Sequence, residues 1–271
     1  MNINDRTMNI VLLYYSGAGN TKYIAQKMLT KLNERFHYVE LSRITHKPLT
    51  KMDYEIDLFI VAFPIMNFEA PRLVTETIQQ LQAMDKPIAY LCTKAFMSAE
   101  AIAKLSTIST QHGLRTVAKL DLYMPSSDGL AFLAKKGSKL EKVFKGFHSR
   151  NIGLKLDRFI KKSERNRQIK VYKKWYSYLS FLIPKKTKRT IDEQFTKFIP
   201  RFHVLNDSCV QCMLCVHNCP EENIRFEEGE IKFGSNCDMC LKCLHHCPVD
   251  AIQIGNLTTG KSRYNKVEVP I

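Results

Sequence analysis

The sequence predicts an α/β chain with a doubly wound, five-stranded parallel sheet, followed by a small cysteine-rich module. Three observations carry this expectation. Apolar runs of strand length alternate with helix-period segments from residue 8 to about 165, the pattern of a parallel sheet covered on both faces. A glycine-containing loop, Ser16-Gly17-Ala18-Gly19-Asn20-Thr21, follows the first run and opens the first helix. Finally, CVQCMLCVHNC at 209–219 is repeated in spacing by CDMCLKCLHHC at 237–247.

Each element has its own signal. Residues 8–15, MNIVLLYY, read as a buried strand, continuous, apolar and cut off by Ser16-Gly17. Thr21 to Leu32 places Ile24, Met28 and Leu32 on one helical face, and residues 38–41 give a short second strand. Asp57 to Phe63 is the third strand, closed by Pro64. Ala70 to Leu81 is helical, with Leu73, Val74, Thr77, Ile78 and Leu81 on its inner face. Pro87 to Thr93 is the fourth strand, and Ser98 to His112 is a helix stopped by Gly113. Arg115 to Met124 is the fifth strand, and Ser138 to roughly Arg165 holds the helix or helices that follow. Ligands of such a sheet bind beyond the C-terminal strand ends.

The organisation read from the sequence is a first domain at 1–165, a basic, aromatic-containing linker at 166–201, the cysteine domain at 202–254 and a tail at 255–271. In the linker, Tyr172, Trp175, Tyr176, Leu179 and Leu182 or Ile183 share a helical face. A helix packed on the first domain is the expectation there. A membrane-surface or partner-docking helix over 169–189 is the alternative, since basic flanks and interfacial aromatics suit that role.

Eight of the nine cysteines fall within 39 residues. That distribution argues against a disulfide-stapled secreted fold and for metal binding. Thiolates are soft ligands, and sulfur sites select iron–sulfur clusters or zinc. Zinc motifs bring cysteines as separated pairs. Here each block offers three cysteines at two-residue gaps and a fourth three residues on, followed by proline. Three close thiols wrap one corner of a cubane, and the fourth ligates the other cluster. The assignment is therefore Cys209, Cys212, Cys215 and Cys247 to one 4Fe–4S cluster, and Cys237, Cys240, Cys243 and Cys219 to the other. A double zinc site is the alternative. His217, His245 and His246 lie among the cysteines and are read as surface or supporting residues. The segment 202–254 resembles the bacterial two-cluster ferredoxins, which implies a small α+β domain that stores and passes single electrons.

The glycine loop admits three readings. A Walker phosphate loop needs G-x-x-x-x-G-K-S/T, which is absent. A dinucleotide fingerprint needs a third glycine where Lys22 stands, with Glu40 as its ribose carboxylate. The third reading is a flavin mononucleotide loop, in which Ser16, Asn20 and Thr21 supply hydroxyls and amides to a phosphomonoester. The stretch YYSGAGNTKYIA resembles the S/T-x-T/A-G-N-T loop of flavodoxins, over about residues 8–165. The resemblance implies a flavodoxin-like fold and an FMN ring between two further loops, Pro64-Ile65-Met66-Asn67-Phe68 and Thr93-Lys94-Ala95-Phe96, with Met97 next. Phe68 or Phe96 would stack on the ring. Lys94 would stabilise an anionic reduced flavin or stand in solvent. Cys92, at a strand end, reads as a buried inert thiol.

The formal charge is +15. Residues 135–201 hold 21 Lys/Arg against 5 Asp/Glu, and residues 202–254 hold 3 against 8. The basic character thus belongs to the middle of the chain. Two clusters and a flavin phosphate, at about −2 each, would lower the total to roughly +9. Nucleic acid is not the expected partner; an acidic protein steered by this field is. No run approaches the length of a membrane-spanning helix, and the N-terminus lacks the features of a signal peptide, so a cytoplasmic chain is expected.

Over nearly its whole length the chain resembles the flavodoxin–ferredoxin fusion proteins of anaerobic bacteria and archaea. The resemblance implies an electron-transfer protein holding FMN and two 4Fe–4S clusters, relaying low-potential electrons between a protein donor and an acceptor enzyme. An FMN-dependent reductase of a quinone, nitro compound or similar acceptor, fed through the clusters, is the alternative.

Overall fold

The computed structural model describes residues 8–47, 55–66, 69–81, 85–96, 100–171 and 196–264. Asn67, Phe68, Met97 and the aromatic face of the linker between 172 and 195 lie outside the described residues. By its contacts the chain divides into two units. One takes Asn20–Met124, the strand before it up to Ser16 and the stretch 149–178. The other takes Gly17–Gly19, Pro125–His148 and the C-terminal residues. Residues 125–148, kept with the first domain in the sequence reading, thus group by contact with the second unit.

The first unit is built on strands β1 (Asn9–Tyr14), β2 (Tyr38–Arg43), β3 (Leu58–Pro64), β4 (Lys86–Lys94) and β5 (Leu114–Tyr123). They form one sheet in the order β2-β1-β3-β4-β5, every neighbour parallel. This is the flavodoxin-like order, whose switch point lies between β1 and β3. The central strands β3 and β4 are apolar along almost their whole length because both faces are covered. The edge strand β2 is largely half-exposed and carries polar residues. A β-bulge at Ile88/Ala89 shifts the register between β4 and β5.

The helices of this unit are α1 (Asn20–Asn33), α2 (Arg72–Gln80), α3 (Ala101–Gln111) and α5 (Ile152–Glu164). Helix α1 buries Thr21, Ile24, Ala25, Met28 and Leu32, one stripe at helical spacing. Helix α5 buries Leu156, Phe159, Ile160 and Ser163 and packs beside α1. Ion pairs from Lys31 and Arg35 to Asp157, and from Arg35 to Glu164, join the two. Helices α2 and α3 pack together. The expected helix from Ser98 is described from Ala101 and ends before Gly113, whose φ of 76° suits glycine.

The predicted helical stretch from Ser138 to Arg165 is two helices. The first, α4 (Lys139–Gly146), belongs to the second unit. Ser138 caps it by accepting the Glu141 N–H, while Glu141 accepts the Gly137 N–H. That is close to a capping box, legible as S-x-x-E.

The second unit also holds β6 (Phe202–Val204), α6 (Leu214–Asn218), β7 (Ile224–Glu227), β8 (Glu230–Phe233), α7 (Lys242–His246) and β9 (Ile252–Ile254). Strand β6 pairs antiparallel with β9, and β7 with β8. The core gathers Phe202, Met239, Leu241, Leu244, Ala251, Ile252 and Ile254, together with Ala131 from the 125–148 segment. Residues 255–264, drawn from the sequence as a tail, are packed here as well. Ser262 donates its N–H to the Ala134 carbonyl at 2.9 Å, and Thr258, Arg263 and Tyr264 are buried.

Candidate functional site

The duplication in the cysteine module is a duplication of backbone. Positions 28 apart share conformations that L-residues seldom adopt. Gln211 and Met239, Met213 and Leu241, and Glu222 and Asp250 all have φ between 48° and 58°. Left-handed backbone costs a non-glycine residue about 1–2 kcal/mol, and such strain concentrates at functional sites. Met213 and Leu241 each start a one-turn helix that carries a cysteine of its block, Cys215 in α6 and Cys243 in α7. After each fourth cysteine an N–H turns back onto sulfur: Asn223 onto Cys219 at 3.4 Å and Ala251 onto Cys247 at 3.2 Å. The Met239 N–H does the same to Cys237 at 3.4 Å.

Two cavities result. One is lined by Cys209, Cys212, Cys215 and Cys247 among Val204, Val210, Leu214, Ile231, Val249 and Ile252. The other is lined by Cys219, Cys237, Cys240 and Cys243 among Ile199, Phe202, Ile224, Phe233 and Leu241. Each cavity takes three cysteines from one block and the fourth from the other. Among the described residues, no three Cys, His, Asp or Glu side chains converge closely enough to grip a single ion.

Burial pushes the Cys243 thiol well above its ordinary range, and Cys240, Cys237 and Cys219 add to this. Burial likewise lifts Cys237 to about 11, reinforced by Cys219, Asp238 and Glu221. Cys215 is raised by burial and by Cys212 and Cys247. Four thiolates in such a cavity demand a cationic partner, because each resists ionising beside the others. The donor set and its N–H···S bonds therefore fit an iron–sulfur cluster.

The three histidines separate. His217 is exposed. His246 sets its Nε2 3.2 Å from the Ala18 carbonyl within the second unit. His245 is fully buried, and burial, with Arg263 nearby, pushes it down to about 3. It is therefore a neutral core residue whose Nδ1 accepts the Tyr264 N–H at 3.1 Å.

In the first unit the predicted loops all leave the C-terminal ends of β1, β3 and β4, the end where parallel sheets bind ligands. The Ser16 hydroxyl is buried and has no hydrogen-bond partner among the described residues. Such a group seeks an acceptor. Thr21 stands in the first turn of α1, where a helix turns N–H groups outward and no acidic residue repels an anion. Its hydroxyl meets that of Thr93, at the end of β4, at 2.8 Å in a buried contact. These residues fit a phosphate monoester.

Gly17, Ala18 and Gly19 group with the second unit. A Cβ on Gly17 would stand 2.4 Å from the Cys240 carbonyl oxygen. Gly17 is thus glycine for close packing within that unit, a demand the sequence did not reveal. Ala18 packs with Leu130, Ala134, Phe144 and Tyr264.

The remaining predicted residues are placed as follows. The Ile65 N–H donates to the Thr93 carbonyl, and Met66 and Glu69 exchange backbone bonds at 2.9 and 2.8 Å. Pro64 and Ala95 are half-buried, and Phe96 is exposed. Lys94 is not in solvent: it is buried, pairs with Asp121 at 3.4 Å, and lies 5.1 Å over the Tyr123 ring. Asp121 and Tyr123, on β5, were not singled out from the sequence. Cys92 is buried in β4, and Glu40 lies exposed on the edge strand β2.

The two units thus define a class: a flavodoxin-like α/β fold joined in one chain to a module built to hold thiolate-ligated clusters. Residues 203–259 match the family described as "4Fe-4S dicluster domain", so the chemistry of this part is electron transfer in general. Among solved structures, the chain is similar to a flavodoxin of Streptococcus pneumonia at 16% identity, covering 58% of this chain and 99% of that one with a TM-score of 0.41. A Lactobacillus acidophilus flavoprotein in complex with FMN is 16% identical over 42% of this chain and 93% of that one, TM-score 0.37. A two-electron reduced Megasphaera elsdenii flavodoxin is 18% identical over 41% and 84%, TM-score 0.35. No curated protein sequence matches the chain. The fold assignment rests on strand order and register. Among the described residues no helix is long and apolar enough to cross a membrane.

Proposed function

We propose that this chain relays low-potential electrons between a protein donor and an acceptor enzyme in an anaerobe, holding one FMN and two 4Fe–4S clusters. The observation that carries the proposal is the pair of cavities, each lined by four cysteines drawn three and one from the two blocks. Cys209, Cys212, Cys215 and Cys247 hold one cluster; Cys219, Cys237, Cys240 and Cys243 hold the other. On the first unit, Ser16, Asn20 and Thr21 bind the FMN phosphate. The loops at 64–68 and 93–96 flank the ring, and Lys94, held by Asp121, fixes a positive charge at the end of β4.

When bound, FMN exchanges one or two electrons and each cluster exchanges one, so a chain with both can divide a two-electron delivery into single steps. The protein supplies binding, orientation and charge. Its thiolates would hold the clusters, and its N–H groups turn toward cysteine sulfurs at Cys219, Cys237 and Cys247.

Anaerobic purification with iron, sulfide and flavin analysis tests the reading. About eight iron, eight sulfide and one FMN per chain are expected, with chromophores that equilibrate during reductive titration. Iron-free protein after reconstitution would end the proposal. Rapid turnover of a small quinone or nitro acceptor without any partner protein would replace the relay with a reductase.

A further inference from the structure

The repeat of 28 residues makes the two cysteine cavities comparable position by position, and their charges differ. The Cys219–Cys237–Cys240–Cys243 cavity is lined by Glu221, Asp238 and Lys242. At the equivalent positions the other cavity has Val249, Val210 and Leu214. Glu221 is buried. One cavity wall therefore carries a net −1 and the other none. Asp250 and its equivalent Glu222 give each half one carboxylate, so these two balance.

A second difference lies behind the apolar cavity. Arg263 is 3% exposed, in the C-terminal segment that has no counterpart in the first block. Its Nη groups are spent on the Thr258, Lys261 and Ser262 carbonyls and on Gln253 Oε1, at 3.2–3.4 Å. Among the described residues its Nε has no hydrogen-bond acceptor, and its ion pair with Asp250 is long, at 3.9 Å. Asp250 donates its own N–H to the Cys247 carbonyl, and Cys247 lies within electrostatic reach of the guanidinium. A buried cation so weakly paired is costly unless a further anion lies near. A cluster on four thiolates, at about −2 when oxidised, is such an anion.

Given the cluster reading above, on which this rests, we propose that Arg263 and the Glu221/Asp238 pair set the two clusters at different potentials. The Cys209–Cys212–Cys215–Cys247 cluster is the easier to reduce. Reduction adds one negative charge to the group held by four thiolates. A nearby cation stabilises the added charge and nearby carboxylates oppose it, most strongly where the charged side chain is itself buried, as Arg263 and Glu221 are. Each step moves one electron from an external one-electron reductant to one cluster, and no bond to the protein forms or breaks. Transfer between the clusters then runs from the Cys219 site to the Cys247 site, one oxidised by one electron and the other reduced by one. Arg263 acts here as a positioning and charge-setting residue.

The test uses the full chain, reconstituted anaerobically and titrated with dithionite while EPR and absorbance are followed. The wild type should show two resolved cluster steps. R263Q should lower the upper step and leave the lower one, whereas R263K should keep the wild-type separation. E221Q should raise the lower step and leave the upper one. Because E221Q leaves the C-terminal packing intact, the test stands even where R263Q fails to fold. Two clusters whose steps are unmoved in E221Q and R263Q, or moved alike, would overturn the inference alone. Iron and sulfide for fewer than two clusters in the wild type would overturn the reading beneath it as well.

Discussion

At the scale of single residues, the most informative atom in the first unit is the buried hydroxyl of Ser16, which has no hydrogen-bond partner among the described residues. A buried hydroxyl without a partner costs roughly 1–3 kcal/mol, and a bound phosphate removes that cost. Replacing Ser16 and Thr21 with alanine should therefore weaken FMN binding by at least tenfold while barely changing riboflavin, which lacks the phosphate. Flavin fluorescence titration measures both, and equal losses would refute the phosphate assignment. In the second unit the crossed pairing makes Cys219 answer to the distant block. Cys219→Ser should remove mainly the cluster of Cys237, Cys240 and Cys243, leaving about half the iron. Equal loss of both clusters in a folded protein would contradict the pairing.

At the scale of elements, α4 and the C-terminal segment are joined through one carboxylate. Burial alone would raise Glu141, but hydrogen bonds from Lys145, Ser262 and the Gly137 amide outweigh it and bring it to about 2. A carboxylate held below its unfolded value of 4.5 stabilises the fold above that pH. The contribution is lost as pH falls from about 4.5 toward 2. Acid unfolding followed by circular dichroism should show this loss in the wild type and a flatter profile over the same window in Glu141→Gln. In the first unit the stripe of α5 is the stronger determinant. Truncating Phe159 to alanine should cost about 3–5 kcal/mol in urea denaturation. Exchanging Asp157, in a partly exposed ion-pair group, should cost no more than about 1 kcal/mol.

This is also the scale at which the sequence was most legible. Strands β1, β3 and β4 announced themselves because a sheet covered on both faces makes unbroken apolar runs, and Ile24, Met28 and Leu32 lie where their spacing put them. What stayed hidden depends on long-range packing. Nothing local marks Arg263 as buried, Gly17 as pressed on Cys240, or Lys94 as turned toward Asp121, because each partner is distant in sequence. The 125–148 segment adjoins the first domain along the chain, yet Ala131 sits in the core of the cysteine module. The capping pair Ser138 and Glu141, by contrast, is a local signal that S-x-x-E makes readable.

At the scale of the whole molecule, the excess of positive charge bears on how fast an acidic partner would be met. Lys and Arg outnumber Asp and Glu by fifteen, and the excess is concentrated between residues 135 and 201. Association with an acidic redox protein should be fast at low ionic strength and slow as salt compresses the field. Stopped-flow oxidation of the reduced chain should lose at least tenfold in second-order rate between about 0.02 and 0.5 M salt. A rate indifferent to salt would point to an apolar docking face instead.

The packing of Ala131, Phe132 and Ser262–Tyr264 around the cysteine module has a practical corollary for dissection. A polypeptide cut to the family limits, 203–259, would keep the eight cysteines of the two cavities and lose the wall behind them. It would remove Ala131, Phe132, Phe198 and Phe202 from the core around Leu244 and Ile254 and take away the Tyr264 amide that donates to the ring nitrogen of His245. Such an excised piece should bleach in air within a fraction of the time the intact chain survives, and a piece that proved equally durable would mean the borrowed wall is dispensable.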